Sequence, residues 1–123
     1  MKLSLSDGDD GMKCIEKTES GIKVLQLHGR VDSMSVSELS GFLNRAVGDG
    51  DGKVLLDLSQ LEYMSSAGLH ALTDAYKMTL TGGGELALCA ANENLTELFS
   101  VVNLDKSFKI YSTNFEALDD LIR

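Results

Sequence analysis

One alternation governs what this chain can fold into. Short runs rich in valine, leucine and isoleucine take turns with longer runs whose apolar residues recur every three or four positions. The clearest instance joins KVLLDL at 53–58 to SSAGLHALTDAY at 65–76 across a short polar stretch. A nearly unbroken apolar run of that length reads as a central strand, Val54–Leu58, covered on both faces. The second run reads as a helix from about Ser66 to Leu80. Leu69, Leu72, Tyr76 and Leu80 form its broad stripe, and Ala67, Ala71 and Ala75 form a stripe of small residues that lets it lie close on a sheet. Gly82, Gly83 and Gly84 read as its C-cap and turn rather than as a phosphate loop, because no helix opens after them.

The same reading extends to both ends. Met12–Thr18 and Ile22–Gly29 read as strands joined by the turn TESG into an antiparallel hairpin. A helix follows, with Val36, Leu39, Leu43, Ala46 and Val47 on one face, Gly48 as its stop, and Ser35 with Glu38 as an S-x-x-E capping box at its start. Beyond the second helix come a buried strand at Leu86–Ala91, a helix behind Asn92 marked by Leu95, Leu98, Phe99 and Val102, and a short strand at Phe108–Tyr111. A last helix starts at a second capping box, Thr113 with Glu116, and turns Ala117, Leu118, Leu121 and Ile122 to the core. The order is β-β-α-β-α-β-α-β-α. Alternation of this kind implies βαβ units, so the chain is expected to be a single α/β domain over 12–123 with a mixed, mostly parallel sheet flanked by helices. Residues 1–11 read as a flexible leader, and a chain of 123 residues suits one domain.

Charge and cysteine usage narrow the function classes. With 11 basic against 19 acidic residues the net charge is −8, which argues against nucleic acid and against anionic membrane surfaces as direct partners. Asp7, Asp9 and Asp10 resemble the start of a calcium loop, but Met12 stands where the loop needs glycine and Thr18 where it needs glutamate; GDGDG at 48–52 fails at Lys53. Neither makes a metal site, and no cofactor motif is present. Cys14 and Cys89 lie in apolar runs without CxxC spacing and read as small buried hydrophobes of a reducing compartment. No apolar stretch reaches the ~18 residues of a membrane helix, and the N-terminus lacks a signal-peptide core, so the expected location is the cytoplasm.

Ser65 and Ser66 stand where the central strand gives way to a helix, the position at which open α/β sheets collect function. Three roles compete. A serine there can cap the helix. It can be a nucleophile, which requires a base: His70 lies one turn along the same helix, but G-x-S-x-G is broken by Met64, and His70 reads more simply as a surface residue and His28 as a satisfied edge residue. Or it can accept a phosphate, whose charge of about −1.5 to −2 suits the positive end of a helix and is felt by any protein docking on that surface.

GIKVLQLHGRVD at 21–32, KVLLDLSQLEYMSSAGLHAL at 53–72 and FKIYSTNFEAL at 108–118 resemble the STAS family, and within it the bacterial anti-sigma factor antagonists. The resemblance implies a non-enzymatic protein. Unphosphorylated, it binds an anti-sigma factor that is often a serine kinase and so frees a sigma factor; phosphorylation on a serine opening the second helix ends the complex, and a PP2C-type phosphatase reverses the modification. Aligned on Gly68, the acceptor falls on Ser66. Ser65 then stands where the sporulation branch carries aspartate, and Ala67 where it carries a second serine. The implied docking surface joins Asp32 and Ser33 to Ser65, Gly68, Leu69 and His70. Asp32 is either a local turn or cap residue or a contact to the kinase or its ATP-bound magnesium. Asp57, inside an apolar strand, needs hydrogen-bond partners, whether it serves fold or docking. The resemblance also admits a second type of member, an unphosphorylated interaction or sensing module that binds a protein, a small molecule or a lipid.

Overall fold

The computed structural model describes residues 2–5, 12–48 and 52–122, with 2–5 and Asp105 in backbone only. Six strands form one sheet in the order of the chain: β1 (Lys2–Leu5), β2 (Met12–Glu19), β3 (Ile22–Val31), β4 (Lys53–Met64), β5 (Glu85–Cys89) and β6 (Lys109–Tyr111). The first two pairings are antiparallel and the other three parallel. Helices α1 (Val36–Val47), α2 (Ser66–Gly82) and α3 (Glu93–Val101) bring their buried residues to one large core with the sheet. Helix α4 (Asn114–Ile122) closes a smaller cluster of Ile22, Val24, Leu55, Ala87, Cys89, Ala117 and Leu121, on the other face. Among the described residues no helix is long and apolar enough to cross a membrane.

This is the mixed, mostly parallel α/β architecture read from the sequence, with several differences. The segment read as a leader opens with a strand, since Lys2–Leu5 pair antiparallel with Glu16–Lys13; the aspartates at 7, 9 and 10 and residues 49–51 lie outside the described residues. His28 is not at an edge, because β3 pairs on both sides. The capping box at Ser35 and Glu38 does not form. Ser35 is fully buried, and its hydroxyl accepts from the Asp32 amide at 3.0 Å instead of serving α1. At α4 the Thr113 hydroxyl does accept from the Glu116 amide, at 3.1 Å.

Leu80 is exposed, whereas Leu69, about three turns earlier on the same side of α2, is buried in the core. Val102 and Ile122 are also exposed, the one beyond the end of its helix and the other a residue past Leu121.

The largest difference is in β4. The stretch read as a polar loop after Leu58 continues as strand to Met64. The register with β3 slips twice: Gln26 faces Asp57 but His28 faces Gln60, and Gly29 faces Leu61 but Arg30 faces Tyr63. Each slip puts one extra residue into β4, a β-bulge. Leu58, Leu61 and Met64 therefore reach the same core at intervals of three rather than two.

Candidate functional site

The end of β4 is held against the end of β3. The Ser65 amide donates to the Val31 carbonyl at 2.8 Å, so the turn that follows β3 and the start of α2 are neighbours at one end of the sheet. On the β3 side Asp32 builds that turn. Its Oδ1 accepts from the Met34 amide at 2.9 Å and the Ser35 amide at 3.2 Å, while the Ser35 hydroxyl lies 3.2 Å from the Arg30 carbonyl. Ser33 and Met34 are left exposed at its tip. Of the two roles open for Asp32, the local one is visible here.

On the α2 side the two serines divide the work. Ser65 is the N-cap, with extended backbone, and its Oγ accepts from the Gly68 amide at 3.3 Å. Such a cap contributes about 1 kcal/mol. Ser66 is the first helical residue, is exposed, and makes no side-chain hydrogen bond among the described residues. The helix end beside it is electrostatically open. Helices α1, α3 and α4 carry Glu38, Glu93 and Glu116 in their first turns, whereas α2 carries no acid there. Its unpaired N–H groups and positive dipole end are thus not offset by a carboxylate of its own first turn.

Two residues of the expected docking surface are brought elsewhere. Gly68 and Leu69 are buried. Gly68 is where α2 touches the sheet: a Cβ there would stand 2.6 Å from Met64 Cγ and 2.8 Å from Val31 Cγ1. Both therefore serve the seating of the helix; of the other residues expected there, Ser33 and His70 are exposed and Asp32 and Ser65 half-buried, with Met34 and Ser66 exposed beside them. His70 Nε2 is 3.5 Å from Asp74 Oδ2, so its ring is directed along the helix toward Asp74 and not back to Ser66.

Asp57 lies on the α4 face of β4, buried but satisfied: Oδ1 accepts from the Ser59 amide at 2.9 Å and Oδ2 from the Asn114 side chain at 3.3 Å. It fastens the start of α4 to the central strand. The sequence reading missed Arg30 and Tyr63, which face each other across β3 and β4, with the guanidinium carbon 4.6 Å from the ring centroid. The one signal for Tyr63 was its place in YMSS, and the bulges hid its register.

The STAS domain model matches residues 15–117, which span β2 to α4. The chain belongs to the STAS domain family. The anti-sigma F factor antagonist of Paenibacillus polymyxa is 28% identical over 102 residues, 82% of this chain and 87% of that protein. Among solved structures, an anti-sigma factor antagonist from Mycobacterium paratuberculosis superposes with a TM-score of 0.84 at 23% identity, covering 94% of this chain and 98% of the other. The Bacillus cell fate determinant SpoIIAA in its phosphorylated form gives a TM-score of 0.67 at 17% identity, over 87% and 97%. At these identities the two structures establish a shared fold.

Proposed function

We propose that this STAS domain is an anti-sigma factor antagonist that works by partner switching, with Ser66 as its regulatory phosphorylation site. The observation that carries the reading is the division of labour at the start of α2. Ser65 spends its hydroxyl on the Gly68 amide, and Ser66 stands exposed beside a helix end that has no carboxylate in its first turn. A phosphate on Ser66 places its charge at the favourable end of the helix dipole. The fold tolerates it. A protein seated on Asp32, Ser33, Met34 and His70 meets a new dianion and loses affinity. The name of the Paenibacillus polymyxa relative supports the class of partner, and the phosphorylated form of SpoIIAA supports the compatibility of this fold with a phosphate.

In this reading the chain is a binding protein and not an enzyme. It acts in the bacterial cytoplasm. Unphosphorylated, it holds an anti-sigma factor that is also a serine kinase. That kinase writes the mark, and a PP2C-type phosphatase removes it. Incubation with the cognate kinase and ATP, followed by mass-spectrometric mapping, should place one phosphate on Ser66. Ser66→Asp should weaken the complex and Ser66→Ala should bind persistently. Phosphate on Ser65, or equal affinity of the two variants, would count against the assignment.

A further inference from the structure

Among the described residues, the face of the sheet opposite α1, α2 and α3 is only partly covered. Ile22 and Val24 of β3 lie under α4. The alternation of side chains then places Gln26, His28 and Arg30 on the same face, beyond the cluster that α4 closes. Cross-strand register builds two rows there: Lys13, His28 and Gln60 on β2, β3 and β4, and Arg30 opposite Tyr63. Lys13, Arg30, Gln60 and Tyr63 are exposed, and Gln26 and His28 half-buried.

Two basic side chains, Lys13 and Arg30, thus share a patch in a chain whose net charge is −8, and His28 lies beside both with its Nε2 3.0 Å from Gln26 Oε1. Among the described residues no carboxylate forms an ion pair with any of them. Asp57, on the same face, is buried and bonded to Ser59 and Asn114, and Lys17 further along β2 is already paired with Glu19 at 2.7 Å. Arg30 is also preorganised. Stacked on Tyr63 it presents the N–H edges of a planar fork, the geometry that receives a carboxylate through two parallel bonds. Arginine and tyrosine side by side are the residue types that anchor protein interfaces.

We propose that this open face of β2, β3 and β4 is a second docking surface, which takes an acidic polypeptide segment of a protein partner. Arg30 and Lys13 receive its carboxylates, His28 and Gln60 line the row between them, and Tyr63 supplies the apolar anchor. The face lies across the sheet from α2 and uses none of the residues of the Ser66 surface, so it stands independently of the antagonist reading.

The test is a titration of the ¹⁵N-labelled full chain, at low and at moderate salt, with a short peptide of alternating glutamate and leucine. A lysine–leucine peptide serves as control. The expected result is amide shifts confined to Lys13, His28, Arg30, Gln60 and Tyr63, with affinity falling as salt rises and at least about tenfold weaker in the Lys13→Glu/Arg30→Glu double variant. The unshifted remainder of that variant's spectrum shows that it is folded. Absence of shifts at low salt, shifts centred on α2 or α4, or unchanged affinity in the double variant would overturn the proposal. A milder pair, Lys13→Gln/Arg30→Gln, gives the same decision if the double charge reversal unfolds the domain.

Discussion

Replacing Gly68 by alanine tests the seating of α2 directly. Two effects oppose each other. Alanine inside a helix is favoured over glycine by about 1 kcal/mol. Against that, the new methyl would stand 2.6 Å from Met64 Cγ and 2.8 Å from Val31 Cγ1, both closer than side-chain carbons approach without something moving. Met64 is flexible and can shift. Val31 is β-branched, fully buried and held in the β3–β4 ladder, so it yields little. Overpacking a well-filled core costs about 1–3 kcal/mol, and two contacts at once place this site toward the upper end. The net expectation is a loss of about 1–2 kcal/mol, which in a domain of this size is a fall in Tm of roughly 3–10 °C.

Urea unfolding followed by circular dichroism, with an unchanged m-value, measures it. Gly41→Ala in α1 is the internal control. The nearest atom to a Cβ there is the guanidinium end of Arg45 at 3.5 Å, so the propensity term acts alone and the variant should gain up to about 1 kcal/mol. If Gly68→Ala proves as stable as the native chain, the close approach of α2 to β3 and β4 is refuted.

Two further predictions concern single side chains. Ser65→Ala should lose about 1 kcal/mol in urea unfolding as the Gly68 amide loses its cap, while Ser66→Ala should stay within about 0.5 kcal/mol of the native chain; the reverse ranking would exchange the roles of the two serines. Cys14 and Cys89 are both pushed up to about 12, chiefly by burial. Native protein should therefore resist Ellman's reagent at pH 8, and labelling should track global unfolding. Because the folded thiols hold their protons while the unfolded ones release them above their ordinary value near 9.0, stability should fall as pH rises from about 9 toward 12. Equal urea midpoints at pH 8 and pH 10.5 would contradict this.

The parts of the molecule that were legible in the sequence are those whose side chains alternate at a fixed period. The helical faces of α1 and α2 and the doubly covered run Val54–Leu58 announce themselves because burial and spacing coincide. The end of β4 did not. Its two bulges move Leu61 and Met64 to intervals of three, which is neither the strand period nor a full helical one, so SQLEYM reads as loop. Ser35 misled for a different reason. The S-x-x-E pattern is local, whereas the hydroxyl was claimed by Asp32 and Arg30, partners fixed by the tertiary turn after β3. Gly68 and Leu69 fall within a motif of the surface but are themselves buried, since a motif records which residues are needed and not which of them meet a partner. Arg30 and Tyr63 lie 33 positions apart and meet only through register, which no single window of sequence contains.

The order of the sheet has a consequence for how the chain is made. Each strand lies beside the one synthesised just before it, so a newly emerged segment always finds its neighbour waiting and never has to be threaded between two already joined. Completion is nevertheless lopsided. The side closed by α1, α2 and α3 can assemble progressively during translation, but Ile22, Val24, Leu55, Ala87 and Cys89 stay bare until α4, which follows all five in the chain, has left the ribosome. A nascent chain stalled before Asn114 presents a greasy half-built slab, and it is at this stage that a chaperone has something to hold.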